Sequence, residues 1–213
     1  MIVAPSLLAS NPANLSADIK RLNDADFKIL HLDIMDGHFV PNISFGPSVV
    51  KALRPLTLMI FDVHLMISNP LQYLDDFVDA GADYITFHLE AVTNPFEVIN
   101  AIKAKGVKVG LSIKPQTNLE AIKPYLKELD LILVMSVEPG FGGQEFQTIA
   151  LEKITNLKKW REQLNLTYLI QVDGGINDVI ASLVKKAGAD IIVVGTYLFR
   201  QFDLIRAKVL LES

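Results

Sequence analysis

Short apolar segments rich in β-branched residues alternate with amphipathic segments along the whole chain. The apolar segments have the length and composition of buried strands, and the segments between them have helical periodicity. The pattern predicts eight strands, at Ile2–Pro5, Ile29–Ile34, Met59–Leu65, Tyr84–His88, Lys108–Ile113, Leu131–Ser136, Tyr168–Val172 and Ile191–Val194. Helices are predicted at Asn14–Ala25, Pro47–Leu53, Pro70–Ala80, Pro95–Lys105, Leu119–Leu129, Thr148–Leu164 and Asn177–Ala187, with a last one running to the C-terminus.

Residues at the predicted helix boundaries support this alternation. Asn69-Pro70 and Asn94-Pro95 each place an amide side chain before a proline, which is typical of a helix start. Three predicted helices end in glycines suited to the left-handed position that follows a helix, Gly81, Gly106 and Gly188. The next strand follows each of them directly, as expected of a repeated strand–helix unit.

Eight such units predict a single-domain α/β protein, a TIM (β/α)₈ barrel that spans residues 1–213. The alternative is an open doubly wound sheet, but no Gly-x-Gly-x-x-Gly follows the first strand and polar residues lie at most strand ends. In a barrel, the C-terminal ends of different strands converge on one mouth. The polar strand ends therefore predict one shared site.

Composition narrows the functional classes. Half of the 213 residues are apolar, and 20 basic and 24 acidic residues give a net charge of −4 without a basic stripe, so we expect no nucleic-acid partner. The chain contains no cysteine, which excludes disulfides and thiolate metal sites. Met1–Ser6 lacks the start of a leader, and no apolar stretch reaches the roughly 18 residues of a membrane span. We expect a soluble, cytoplasmic protein without membrane contact.

The segment His31-Leu32-Asp33-Ile34-Met35-Asp36 carries the first chemical signal. On a strand, His31 and Asp33 project from one face, where they can form an ion pair or hold one divalent cation. His64 and Asp173 lie at two further strand ends. Each of the four alone is equally explained as a core histidine or a helix-capping aspartate, but together they favour one Zn²⁺, Fe²⁺, Mn²⁺ or Co²⁺ ion over Ca²⁺.

Glycines at three adjacent strand ends carry the second signal. They lie in Pro139-Gly140-Phe141-Gly142-Gly143-Gln144, Asp173-Gly174-Gly175 and Gly195-Thr196. Glycine lets backbone N–H groups approach an anion, and the loops after strands seven and eight often hold phosphate in this fold. Any one pair alone is better explained as a tight turn, but the three together favour a phosphorylated substrate.

Two carboxylates beside one metal ion suggest a reaction. Asp33 and Asp173 could take a proton from one face of a carbon next to a ketone and return one to the opposite face, through an enediolate. Which of them acts first depends on the configuration of the substrate. Met35, Met66 and Met135 lie near these strand ends, either as core residues or as a wall that keeps water from a reactive intermediate.

Five ordered motifs resemble the ribulose-phosphate 3-epimerase family over nearly the whole chain. They are Ala4-Pro5-Ser6, His31–Asn42, Asp62-Val63-His64-Leu65-Met66, Val137–Gln144 and Val172-Asp173-Gly174-Gly175-Ile176. The resemblance implies a (β/α)₈ barrel that interconverts D-ribulose 5-phosphate and D-xylulose 5-phosphate in the pentose phosphate pathway. It also implies a homo-oligomer, either a dimer or a hexamer.

The resemblance implies specific roles as well. His31, Asp33, His64 and Asp173 would hold the metal, with Asp33 as proton acceptor and Asp173 as proton donor. Substrate contacts would come from Ser6, His64, Gly140, Phe141, Gly142, Gly143, Gly174, Gly175, Gly195 and Thr196.

This chain departs from the family pattern in several places, among them Leu89-Glu90, Thr196 and Gln171, and leaves two alternative functions. Leu89-Glu90 follows His88 where proline or tyrosine is common, and Thr196 stands where serine is common but keeps the hydroxyl. The related D-allulose-6-phosphate 3-epimerase has a similar metal site, and relative kcat/KM would separate the two substrates. A non-catalytic sugar-phosphate-binding barrel is the third possibility, against which the intact ligand set and both aspartates argue.

Overall fold

All eight strands belong to one parallel sheet in the computed structural model, which describes all 213 residues. The strands are β1 Ile2–Pro5, β2 Ile29–Met35, β3 Ile60–Met66, β4 Tyr84–His88, β5 Lys108–Ile113, β6 Leu131–Met135, β7 Leu169–Asp173 and β8 Ile191–Val194. Their order is β1-β8-β7-β6-β5-β4-β3-β2, and a parallel bridge between Ser6 and His31 brings the two ends of this order together. The predicted barrel is confirmed, and the open sheet is excluded.

Helices follow the strands and cover the outside of the barrel. They are α1 Leu15–Asp24, α2 Pro47–Leu53, α3 Leu74–Asp79, α4 Pro95–Ala104, α5 Ile149–Gln163, α6 Asp178–Ala187, α7 Thr196–Phe199 and α8 Leu204–Glu212. Gly81, Gly106 and Gly188 have φ values of 97°, 75° and 115°, which confirms the predicted left-handed helix ends.

Three helix predictions need correction. The segment predicted as a helix at Leu119–Leu129 forms a 3-10 helix at Leu119–Glu128, because Pro124 within it has no N–H to donate. The predicted Pro70–Ala80 helix starts as a 3-10 turn at Pro70–Tyr73 before α3, and the C-terminal helix is divided into α7 and α8.

The predicted helix starts at Asn69 and Asn94 lie at the right positions. Neither side chain, however, makes a capping hydrogen bond to the helix it precedes. Pro70 and Pro95 follow these asparagines at the start of each helix, where a missing N–H costs no intrahelical hydrogen bond.

Alternation along each strand separates the main core from the barrel interior. On β2, Leu30, Leu32 and Ile34 face outward into the core that the helices cover, and His31 and Asp33 therefore face inward. A separate apolar cluster fills part of the interior, with Ala4, Leu131, Leu133, Met135, Ile191 and Val193 among its members. Polar side chains from β2, β3, β4, β5 and β7 are buried in the remainder. None of the helices combines the length and the apolar character needed to cross a membrane.

Candidate metal and catalytic site

Strands β2, β3 and β7 bring the four predicted ligand residues together inside the barrel. One ligand atom from each of His31, Asp33, His64 and Asp173 lies within 4.8 Å of the other three. Nε2 of His31 is 3.3 Å from Oδ1 of Asp33 and 3.9 Å from Oδ2 of Asp173, and Nδ1 of His64 is 3.2 Å from Oδ1 of Asp33. Parallel register causes this convergence, because Asp33 of β2 is paired with His64 of β3.

A buried carboxylate orients His31. Nδ1 of His31 is 2.7 Å from Oδ2 of Asp62, which also accepts a hydrogen bond of 2.6 Å from the side-chain amide of Gln171. A carboxylate can only accept here, so Nδ1 carries a proton and Nε2 is the nitrogen that faces Asp33. Neither supporting residue, Asp62 or Gln171, is among those predicted from the sequence. Their spacing was a usable signal, because Asp62-x-His64 and Gln171-x-Asp173 repeat the pattern His31-x-Asp33.

A second polar chain leads away from His64. Its Nε2 lies 2.8 Å from Nε2 of His88, and Nδ1 of His88 lies 3.3 Å from Oε2 of Glu90. Oε1 of Glu90 accepts from the backbone N–H of Lys114 at 2.8 Å and from the hydroxyl of Thr117. His88 and Glu90 are not among the site residues predicted from the sequence.

The two predicted acid–base residues have opposite electrostatic environments. Burial opposes ionisation of Asp33, but the charge of His31 and the hydrogen bond from His31 outweigh it and hold the pKa of Asp33 far below 3.8. Burial, followed by the negative charge of Asp33, raises the pKa of Asp173 to about 7. Without a bound cation, Asp33 is therefore a carboxylate when Asp173 can still carry a proton.

The imidazoles also differ. Burial alone would lower the pKa of His31, but the charges of Asp33 and Asp62 raise it well above 6.5. Burial lowers the pKa of His64, and it lowers the pKa of His88 to about 4. Both His64 and His88 are therefore neutral at pH 7, with one proton per ring.

An open cleft of about 530 Å³ lies above the ligand cluster at the C-terminal ends of the strands. Asp33 and Asp173 both line it, and the hydroxyl of Ser6 donates a hydrogen bond of 2.6 Å to Asp33. Three almost fully buried methionines also line it, namely Met35, Met66 and Met135. Their thioether side chains give the cleft a soft apolar wall.

The predicted glycine loops lie on the same cleft. Gly142 and Gly143 are so close to Thr196 that a Cβ on either would lie 3.7 or 3.8 Å from its Oγ1. The turn after β7 is tight, since a Cβ on Gly175 would lie 2.4 Å from the backbone nitrogen of Phe146. Gly140, Phe141, Gly174 and Gly195 also line the cleft, whereas His64, likewise predicted to contact the substrate, is fully buried and does not line it. Polar backbone groups of three loops thus border one space.

The donor set suits a divalent metal ion. Nε2 of His31 and Nδ1 of His64 lie 3.3 Å apart, next to the carboxylates of Asp33 and Asp173. Two imidazole nitrogens and two carboxylates are ligands that Zn²⁺, Fe²⁺, Mn²⁺ and Co²⁺ accept, whereas Ca²⁺ prefers six or more oxygens. The residues present therefore fit such an ion.

Comparison with protein families gives one match over most of the chain. The model of the Ribulose-phosphate 3 epimerase family matches residues 2–199. Relatives named ribulose-phosphate 3-epimerase include one from Treponema pallidum, 44% identical over 92% of this chain and 90% of its own length. Another from Bacillus subtilis is 43% identical over 96% of this chain and 95% of its own length.

Solved structures with low sequence identity have the same fold. The 3-hexulose-6-phosphate synthase of Salmonella typhimurium has a TM-score of 0.71 at 18% identity, over 99% of this chain and 96% of that one. A mutant tryptophan synthase α-subunit of Pyrococcus furiosus has a TM-score of 0.69 at 18% identity, over 99% and 95%. These two similarities establish the barrel alone.

Proposed function

Because the chain belongs to the ribulose-phosphate 3-epimerase family and is therefore an isomerase, we propose that it interconverts D-ribulose 5-phosphate and D-xylulose 5-phosphate in the pentose phosphate pathway. The observation that carries this proposal is the pair Asp33 and Asp173, which reach one cleft from β2 and β7. Strands β2 and β7 lie on different sides of the barrel. A substrate carbon between the two carboxyl groups can lose a proton on one face and gain one on the other.

Asp33 acts as the proton acceptor when D-ribulose 5-phosphate is the substrate. Its carboxylate is ionised, and its Oδ2 accepts a hydrogen bond from the Ser6 hydroxyl, which fixes its orientation. Removal of the C3 proton leaves a planar enediolate. Asp173 then donates a proton to the opposite face, and C3 is inverted. The two residues exchange roles in the reverse direction.

The ion that we propose is held by His31, Asp33, His64 and Asp173 and would supply a Lewis acid for the negative charge on the substrate oxygens. The chain's own residues do the rest. Met35, Met66 and Met135 border the reacting carbon and limit access of water, which would otherwise protonate the enediolate without regard to face.

The phosphate binds at the glycine-rich end of the cleft. Gly142, Gly143, Gly174 and Gly175 lack side chains that would shield their backbone N–H groups, and Thr196 adds a hydroxyl beside them. This end lies on β6, β7 and β8, next to Asp173 on β7. The anchored phosphate thereby places the ketose chain between the two aspartates.

A coupled epimerase assay with and without added Zn²⁺, Fe²⁺, Mn²⁺ or Co²⁺ tests substrate and cofactor together. We expect metal-dependent activity and a higher kcat/KM for D-ribulose 5-phosphate than for D-allulose 6-phosphate. A preference for the six-carbon sugar would replace the proposed substrate. Binding of either sugar phosphate without turnover would leave a non-catalytic barrel.

The two-aspartate mechanism has its own test in deuterium oxide. With saturating metal, Asp173→Asn should lower epimerisation by about 10²–10⁴-fold, the usual range for an acid–base residue. Because Asp33 is intact, this variant should still exchange the C3 hydrogen of D-ribulose 5-phosphate with solvent, whereas Asp33→Asn should not. The exposed Asp79→Asn is the matched control. Full epimerisation by Asp173→Asn would rule out the assigned role.

We further propose that the chain forms a dimer or a hexamer and works in the cytoplasm. Large exposed apolar side chains near the C-terminus, such as Phe202, Ile205 and Val209, support contact with a second copy. Light scattering of the purified protein measures the assembly, and cell fractionation locates it.

A further inference from the structure

The polar chain behind His64 consists of His88 and Glu90, and its two imidazoles are shielded from solvent while its end at Glu90 reaches the surface. His64 and His88 are both fully buried, and the side chain of Glu90 is 22% exposed. The ring of Phe39 lies 4.8 Å from that of His88, and the ammonium of Lys114 lies 4.2 Å from the Phe39 ring. The protons of the two imidazoles are therefore shared only with protein groups.

Glu90 determines the direction of every hydrogen bond in the chain. As a carboxylate it only accepts, so Nδ1 of His88 carries the proton between them. Two ring nitrogens 2.8 Å apart cannot both carry a proton, and the fully buried His88 holds its proton on Nδ1, so its Nε2 accepts from Nε2 of His64. The single proton of His64 is then on Nε2, and its Nδ1 has a free lone pair.

Asp33 favours the opposite arrangement. Its Oδ1 lies 3.2 Å from Nδ1 of His64, so a proton on Nδ1 would gain a hydrogen bond to a carboxylate. That proton would occupy the nitrogen that faces His31 and Asp173. Without a competing acceptor at the far end, His64 would present an N–H to the ligand cluster.

We propose that Glu90 and His88 are positioning residues that hold the proton of His64 on Nε2 and so keep Nδ1 free to bind a divalent cation. The inference rests on the ligand role given to His64 in the proposed function. It parallels the arrangement at His31, where Asp62 does the same through one direct contact.

The surroundings of Glu90 fix its orientation. Its Oε1 accepts from the backbone of Lys114 and the hydroxyl of Thr117, which leaves Oε2 for His88. Lys153 holds the same loop from the other side, because its ammonium donates to the carbonyl oxygens of Lys114, Pro115 and Thr117 at 2.9, 2.7 and 2.8 Å. The acceptor at the end of the chain is therefore anchored to α5.

Glu90→Gln should reverse the direction of the hydrogen bonds that link residue 90, His88 and His64 without changing the positions of these side chains. The backbone N–H of Lys114 needs an acceptor, so the amide oxygen turns toward it and the amide NH₂ faces Nδ1 of His88. His88 must then donate from Nε2, His64 must accept there, and the proton of His64 moves to Nδ1. The substitution thus blocks the ligand nitrogen from a distance.

Long-range ¹H–¹⁵N spectra of the side chains measure the tautomers directly, because the chain has only four histidines to assign. In metal-free wild-type protein we expect His64 with its proton on Nε2, and in Glu90→Gln with its proton on Nδ1. Competition with a chromophoric chelator should give a Zn²⁺ dissociation constant about 10–100-fold higher for Glu90→Gln. Glu90→Asp, which keeps an acceptor, should stay within about threefold of wild type, and so should the exposed control Glu162→Gln.

A pair of substitutions at His88 repeats the test should Glu90→Gln fail to fold. His88→Gln can accept from His64 and donate to Glu90, so it should keep Zn²⁺ affinity, whereas His88→Leu should lose it. Unchanged tautomer and affinity in the foldable disruptive variant would overturn the positioning role. Wild-type protein that binds no Zn²⁺ would instead overturn the metal site on which the inference rests, a separate and distinguishable failure.

Discussion

At the scale of single residues, environment decides what an aspartate does. Asp33 and Asp173 line the same cleft, yet the charge of His31 and its hydrogen bond keep Asp33 ionised, while burial beside Asp33 favours the proton on Asp173. Carboxyl groups whose pKa values are driven apart can serve as base and acid at one pH. The different roles proposed for Asp33 and Asp173 therefore follow from their contacts, because both residues are aspartates.

Asp36 gives a prediction at this scale. Its carboxylate accepts from the backbone N–H groups of His38, Phe39 and Ser68 and from the Ser68 hydroxyl, and these bonds lower its pKa from 3.8 to about 2 in spite of burial. A lowered pKa stabilises the fold above pH 4, and this contribution is lost as the pH falls toward 2. The difference in Tm between wild type and Asp36→Asn should therefore be larger at pH 6 than at pH 3.

Thermal unfolding followed by circular dichroism at both pH values measures this difference. Asp79→Asn, on the exposed end of α3, is the control and should leave Tm nearly unchanged at either pH. A difference for Asp36→Asn that grows on acidification would contradict the assigned sign. The wild-type contacts of Asp36 join the loops after β2 and β3, so their loss should also loosen the cover that Phe39 provides over His88.

At the scale of elements, the turn after β7 joins fold and chemistry. Gly174 and Gly175 have φ values of 118° and 62°, which side-chain-bearing residues rarely adopt. Oγ of Ser136 lies 2.7 Å from the carbonyl oxygens of Asp173 and Gly174. The end of β6 therefore holds the turn that carries the proposed proton donor.

A comparison of Gly175→Ala with Gly106→Ala separates the cost of a left-handed backbone conformation from the cost of a steric clash of the added Cβ. Both glycines have positive φ, and either substitution should cost about 1 kcal/mol in unfolding free energy for the left-handed backbone. Gly106 has open space around it, whereas a Cβ on Gly175 would meet the backbone of Phe146 at 2.4 Å. Urea unfolding should show a clearly greater loss for Gly175→Ala, together with a higher KM for the sugar phosphate. Equal losses and an unchanged KM would refute this account of the turn.

The strands and helices also show which structural features the sequence predicts and which it does not. Strand limits were predicted within one residue, because buried parallel strands are continuous β-branched runs between glycine-ended helices. The segment around Pro124 was expected to form an α-helix, since its apolar spacing is helical, but the missing N–H favours a 3-10 helix. Periodicity detects which face is buried and does not distinguish these two backbone forms.

At the scale of the whole molecule, the sequence predicts which residues lie at strand ends and so share the site, but it does not predict their contacts. His31, Asp33, His64 and Asp173 could be grouped because a barrel brings strand ends to one mouth. The contacts of Asp62 with Gln171 and of His88 with Glu90 could not, because they depend on which atoms of different strands meet in the interior. Residue spacing in the sequence identifies candidate site residues, but the register between neighbouring strands determines which side chains contact each other.

Because these residues converge only in the folded barrel, metal binding should increase the stability of the whole fold. The four proposed ligands come from β2, β3 and β7, so they exist as a set only in the folded barrel, and an ion that binds them stabilises the native state alone. Zn²⁺ at about 1,000 times its dissociation constant should add about 4 kcal/mol, or roughly 8–16 °C in Tm for a chain of this size. Chelation should remove this increment and abolish epimerisation, and added metal should restore both. His64→Gln should show a much smaller shift. A Tm that changes neither with chelator nor with added metal would refute the proposed metal site.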